Sequence, residues 1–401
     1  GFQAYSTGGD FGAVVNRGNM RLENSSVTGN YKSYYSSHAM AGIDNSGSLQ
    51  GVGVTVSNNI IGVYSADMPS GVLNRSDATL RLWGSEISGN LGGIEGNNGL
   101  VNRGRAYLER VDIMNNFGGV FNYGGHLELA ESSVSGNTAS GYLTSKGITS
   151  KGISNFDTGT MILSGVTVSE NVVFYLARYE DEGGIYNAGD MIITNSTVAN
   201  NRRREKLTGC LGAVIENKGN MVLQSSTVAT NGICDNSYAD SLGVFNRAGA
   251  TLSMFQNVIT GPFVSTDATG QTVTERVLTN EGTILASEYN LFGDSSRLSS
   301  VALVGFTPGP TDVVATADGT DPTRLGDIIE IESVPATSGL PSFTQARLAD
   351  NGGPTQTVAL PLNSPAIDAG GTDCLPTDQR GVARPQGDAC DIGAYELEPG
   401  A

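Results

Sequence analysis

Two histidines in 401 residues leave little room for acid–base chemistry or metal ligation built on imidazole. No Gly-x-Ser-x-Gly elbow, phosphate loop or His-Glu-x-x-His motif is present, so the usual nucleophile, nucleotide and zinc-protease signatures are missing. Basic residues are scarce: 23 Lys and Arg face 40 Asp and Glu, for a net charge of −17. That argues against nucleic acid as a partner, because phosphate binding needs clustered cations. No apolar run of about 18 residues occurs, so no transmembrane span is expected. No charged-then-apolar leader opens the chain, and Gly1-Phe2-Gln3 is expected to be a mature or trimmed terminus. Glycine is plentiful, at 55, but not at every third position, which excludes collagen.

What is present is a repeat. The clearest copy is Gly184-Ile185-Tyr186-Asn187-Ala188-Gly189-Asp190-Met191-Ile192-Ile193-Thr194-Asn195-Ser196-Thr197-Val198-Ala199-Asn200-Asn201. Its first Asn recurs at Asn16, Asn45, Asn74, Asn102, Asn122, Asn155, Asn187, Asn217, Asn246 and Asn280, at intervals of 29, 29, 28, 20, 33, 32, 30, 29 and 34 residues. A closing Asn recurs at Asn30, Asn59, Asn90, Asn116, Asn137, Asn171, Asn201 and Asn231. A period of this length marks a solenoid. Helical spacing is absent; Met191 and Ile193, or Met221 and Leu223, alternate as strand residues do. Each unit offers three short apolar runs separated by Gly and Asn. The expectation is an all-β, single-stranded parallel β-helix of roughly ten or more coils, a rod on the order of 50 Å long. The Asn columns are expected to be buried structural ladders, each amide bonding to the next coil.

Insertions fall at one phase of the repeat, between the closing Asn and the next opening Gly, and are expected to form a single irregular face. Its candidate binding residues are Tyr31, Tyr34, Tyr35, Tyr142, Phe174, Tyr175, Tyr179 and Tyr238, with Tyr64 and Phe263 alongside. Such aromatics stack on sugars, meet a neighbouring subunit or fold back over the rod. Two charged insertions, Arg178-Tyr179-Glu180-Asp181-Glu182 and Arg202-Arg203-Arg204-Glu205-Lys206, lie one repeat apart. They read first as an exposed ion-pair cluster and second as a site for an acidic sugar. The four cysteines form two local pairs, Cys210 with Cys234 and Cys374 with Cys390, which suits disulfides in an oxidising compartment. A metal site would need Cys-x-x-Cys spacing, which is lacking.

The repeats are expected to cover residues 1–294, an irregular continuation or small flanking element 295–345, and a Pro-rich C-terminal cap 346–401. The last contains Asp350-Asn351-Gly352-Gly353-Pro354-Thr355-Gln356-Thr357, then Leu360-Pro361-Leu362-Asn363-Ser364-Pro365-Ala366-Ile367-Asp368-Ala369-Gly370. Thr377-Asp378-Gln379-Arg380-Gly381, Arg384-Pro385 and Cys390-Asp391-Ile392-Gly393-Ala394-Tyr395-Glu396 follow. Residues 350–396 resemble the choice-of-anchor Q domain of bacterial surface and secreted proteins, and the upstream repeats resemble the right-handed parallel β-helix common in them. The resemblance implies export and surface attachment but no reaction. The family layout leads one to expect a sorting motif or anchor helix after this segment; the sequence here reads Leu397-Glu398-Pro399-Gly400-Ala401, and the anchor is expected to have been processed away or never to have been there. Physically, Pro354, Pro361, Pro365 and Pro385 suit a C-terminal cap. Asp368, Asp378, Arg380, Arg384, Asp391 and Glu396 are expected to form a structural polar network; calcium would need several of these oxygens to converge.

These readings lead to a non-enzymatic extracellular rod without catalytic residues or cofactor, a surface adhesin or the subunit of a fibre or sheath that self-associates head to tail. Removing residues 1–11 is then expected to abolish assembly while leaving the rod folded. A glycan-binding surface protein is the alternative, and a polysaccharide lyase or hydrolase of the pectate-lyase-like type the next.

Overall fold

The computed structural model describes residues 13–32, 41–61, 69–92, 99–140, 152–174, 184–204, 212–231, 241–261, 275–335 and 343–400. The chain divides into two compact units, residues 1–162 with 170–190, and residues 163–169 with 191–401. Each is a parallel β-helix.

In the first unit, seven strands stack in parallel as one sheet: Val14–Asn16, Ile43–Asn45, Val72–Asn74, Leu100–Asn102, Val120–Tyr123, Ile153–Phe156 and Ile185–Asn187. A second sheet runs through Asn19–Glu23, Ser48–Val52, Thr79–Trp83, Arg105–Glu109 and His126–Ala130. A third runs through Ser26–Thr28, Thr55–Ser57, Glu86–Ser88, Asp112–Met114 and Ser133–Ser135. Alternation decides which residues enter the core: Leu80, Leu82, Ala106, Leu108, Leu127 and Leu129 point in and are buried, while their neighbours point out. Corners demand left-handed backbone, and this explains the Gly and Asn content. At one corner Asn58 has φ 54° and Gly89, one coil on, φ 59°. A Cβ on Gly89 would lie 2.7 Å from Asn58 Oδ1, so the Asn side chain of one coil occupies the space the next coil's glycine leaves.

Both Asn columns are ladders, as expected. In the first unit the opening amides donate Nδ2 to Oδ1 from Asn16 to Asn45, Asn74, Asn102, Asn122, Asn155 and Asn187, at 2.8–2.9 Å. Each spends its other N–H on a backbone carbonyl, as Asn122 does on Gly125 at 2.8 Å. In the second unit Asn217, Asn246 and Asn280 continue the pattern at 2.8 Å. The closing column links Asn30, Asn59, Asn90, Asn116, Asn137 and Asn171 in the first unit and Asn201 to Asn231 in the second. Buried amides that satisfied one another only partly would be costly; here donors and acceptors close coil by coil.

The second unit has a first sheet of Gly212–Asn217, Ser241–Asn246, Glu275–Asn280 and Leu303–Val304. Its second sheet includes Asn220–Gln224, Thr251–Phe255 and Thr283–Glu288. Its third comprises Thr167–Ser169, Thr197–Ala199, Thr227–Ala229, Val258–Ile259, Leu291–Phe292 and Val313–Val314. Coils thus persist past residue 294, into the stretch expected to be irregular. The Pro-rich segment lies along the outward face of this third sheet. Gln379 sits between Thr197 (2.6 Å) and Thr167 (2.9 Å), and the Ala394 N–H donates to Thr227 at 3.0 Å. Ala199, Ala229, Val258 and Leu291 are buried there with Ala346, Val358, Leu360, Ala366, Ile392 and Tyr395. Cys374 and Cys390 are disulfide-bonded.

Candidate functional site

The outward face of the second sheet in the first unit gathers side chains that the core does not require. Strand alternation turns Arg81 and Trp83 out between Leu80 and Leu82, then Arg105, Tyr107 and Glu109, then His126 and Glu128. Parallel register aligns them in columns: Thr79, Arg105 and His126 in one, Arg81, Tyr107 and Glu128 in the next, Trp83 and Glu109 in the third. Trp83, the single Trp of the chain, is 46% exposed, and Val52 beside it in register is 37% exposed. The Arg81 guanidinium lies 4.7 Å from the Tyr107 ring centre, and the His126 ring is 5.7 Å from the same ring. His126 Nε2 is 2.7 Å from Glu128 Oε1, and Nδ1 is 2.7 Å from Thr160 Oγ1. With Glu128 ionised, Nε2–H donates to the carboxylate and Nδ1 accepts from the Thr160 hydroxyl.

Two properties follow. The aromatic platform is open and edged by donors and acceptors, which suits stacking on a sugar ring with polar contacts at its rim. The backbone of these strands is committed to the ladder: the N–H groups of Arg105, His126 and Thr160 donate to Ala78, Gly104 and Gly125.

The predicted binding residues fare differently. Tyr31 is 52% exposed on a short fourth sheet, in register with the exposed Ile60 and Leu91. Phe174 ends the strand Val172–Phe174. Tyr34, Tyr35, Tyr64, Tyr142, Tyr175, Tyr179, Tyr238 and Phe263 lie outside the described residues, as do His38, Cys210, Cys234, Arg178–Glu182 and Glu205–Lys206. Arg202 stacks 4.6 Å over Phe343 and donates to Gln345, on the strand Phe343–Ala346.

The C-terminal polar network does form. Arg384 donates to Glu396 Oε2 at 3.2 Å and to the Asp391 and Gly393 carbonyls at 2.7 Å; Arg380 bonds Asp378 at 2.8 Å. Asp391 accepts from the Asp368 and Leu397 N–H groups at 2.8 and 2.7 Å. Burial pushes the Asp391 carboxyl up to about 6. Burial also lowers the Arg384 pKa, against the pull of Glu396. Among the described residues no three His, Cys, Asp or Glu converge as a metal site. Among them, too, no helix is long and apolar enough to cross a membrane.

Reading the sequence passes over the second-sheet face because its residues do not recur from coil to coil. The signal lay in strand alternation, which marks Arg81, Trp83, Arg105, Tyr107 and His126 as outward once Leu80, Leu82, Ala106, Leu108 and Leu127 are set inward.

No protein-family model matches the chain, and no curated protein matches it either. Among solved structures, the crystal structure of pectate lyase Pel9A is similar at 12% identity and a TM-score of 0.36, over 92% of this chain and 73% of that one.

Proposed function

We propose that this is an extracellular, non-catalytic glycan-binding protein, in which the β-helix displays the second-sheet face of the first unit as a binding platform. The observation that carries the reading is the exposed Trp83 on a rigid strand, next to the Arg81–Tyr107 stack and the hydrogen-bonded Thr160–His126–Glu128 group. Rigid exposed aromatics give contact area at low entropic cost. The Cys374–Cys390 disulfide supports an oxidising compartment. The fibre reading draws less support. The strand Thr283–Glu288 pairs with Thr251–Phe255 through a register shift and carries Leu285 outward at 65% exposure, a bulge of the kind that discourages strand addition.

An array of immobilised neutral and charged oligosaccharides tests the proposal. Trp83→Ala is expected to weaken binding at least about tenfold, as loss of a stacking aromatic does, with the melting temperature unchanged. Binding that survived this substitution, or no binding by the wild type, would overturn it.

A further inference from the structure

We infer that the glycan taken by this face is anionic, its acid groups being carboxylates held by Arg105 and Arg81 beside the Trp83–Tyr107 platform. The inference rests on the glycan-binding reading above. The chain carries a net charge of −17, yet Arg75, Arg81, Arg103, Arg105 and Arg110 fall within two successive coils. Two of the five hold carboxylates, and a third lies over a ring outside the platform. Arg75 grips the buried Asp44 with two bonds of 2.6 and 2.8 Å, Arg110 bonds Glu131 at 2.7 Å, and Arg103 lies 5.7 Å from the Tyr123 ring centre. Arg81 spreads over Tyr107, and Arg105 stands exposed with no carboxylate partner among the described residues. Of the acids nearby, Glu128 holds His126, and Glu109 stands exposed in register with Trp83.

Two guanidinium groups without an acid thus flank the aromatic platform of an acidic protein. A guanidinium fork matches a carboxylate, and the face of a pyranose ring matches an aromatic ring. A polymer laid across the strands would meet a new coil about every 4.8 Å, so acid groups on successive sugars can reach Arg81 and Arg105 from adjacent coils.

The experiment is calorimetry of the full chain with hexuronic acid oligomers and with the same oligomers carboxyl-reduced to neutral sugars. The acid form is expected to bind about tenfold tighter at low salt, with the advantage shrinking in about 0.5 M NaCl. Arg105→Gln is expected to remove most of that preference; Arg105→Lys, which keeps the charge but not the fork, should retain part of it. Equal affinity for the two oligomers, or an unchanged preference in Arg105→Gln, overturns the inference while leaving the glycan-binding reading standing. Failure of the wild type to bind either oligomer, with Trp83→Ala inert on the array, removes both.

Discussion

The third strands of the two units agree in what they turn inward and differ in what they turn outward. In the first unit the inward residues are Val27, Val56, Ile87, Ile113 and Val134, all buried; the outward pairs include Ser26 and Thr28, Glu86 and Ser88, Asp112 and Met114, and Ser133 and Ser135. In the second unit Val168, Val198, Val228 and Ile259 are again buried inward, but the outward residues become Thr197 and Ala199, Thr227 and Ala229, then Val258 and Leu291, and these are buried too. One coil geometry therefore serves two purposes. Where outward side chains are mostly Ser and carboxylates, the sheet face meets water. Where they shrink to Thr and Ala or turn apolar, the chain's own C-terminal segment packs on it, and threonine hydroxyls serve its backbone and Gln379. Outward residues, free of the core's demands, are where this fold records its differences.

The sharpest way to break that contrast is to put the same charge at matched outward positions. Ala229→Glu would bury a carboxylate among Val258, Ala346 and Tyr395 and is expected to cost about 3 kcal/mol or more. Ser135→Glu, on the first unit's partly exposed third strand, should stay within about 0.5 kcal/mol. Urea unfolding of the two variants reads the difference, and equal losses would mean that the C-terminal segment is not packed as described.

A smaller effect separates the interior of a ladder from its end. Asn122 accepts from Asn102 and donates to Asn155 and Gly125, so Asn122→Ala strands partners on both sides and is expected to cost about 2–3 kcal/mol. Asn16 donates to Asn45 and Ser48 at the outer end, and Asn16→Ala should cost about 1 kcal/mol. Similar melting temperatures for the two variants would argue that the ladder contributes locally rather than as a chain.

How much of this could be read beforehand follows the same division. The Asn columns were legible because an inward amide must recur in every coil to satisfy its neighbours. A third column was not: Ser85 and Ser132 in the first unit, then Ser196, Ser226, Asn257, Asn290 and Asp312 in the second, accept backbone N–H groups from the preceding coil. It changes residue type along the chain while keeping one oxygen in place, so a search for identity misses it. Residues 295–345 were less legible because Val313–Val314 keeps the strand without the Asn. The shift from Ser133-Val134-Ser135 to Thr227-Val228-Ala229 was visible in the sequence, but nothing local says what covers it. The second-sheet face is the extreme case, since a binding surface is defined by residues that do not repeat.

A further effect, set by pH, lies inside the segment that covers the second unit. Asp391 is 2% exposed, and its carboxyl is held at about 6, chiefly by burial, with Glu396 adding to the rise and Arg384 and two backbone N–H groups opposing it. Between the ordinary carboxyl value of 3.8 and about 6, the folded chain keeps a proton that the unfolded chain has lost. The contribution of this group is therefore fully present below about 4, falls as pH rises towards about 6, and is lost above it, a change of about 1–3 kcal/mol. Chemical denaturation at intervals from pH 4 to 7 should show that decline in the wild type and a flatter profile in Asp391→Asn. A slope that persisted in Asp391→Asn would place its origin in other carboxylates and separate the pH response from the covered face.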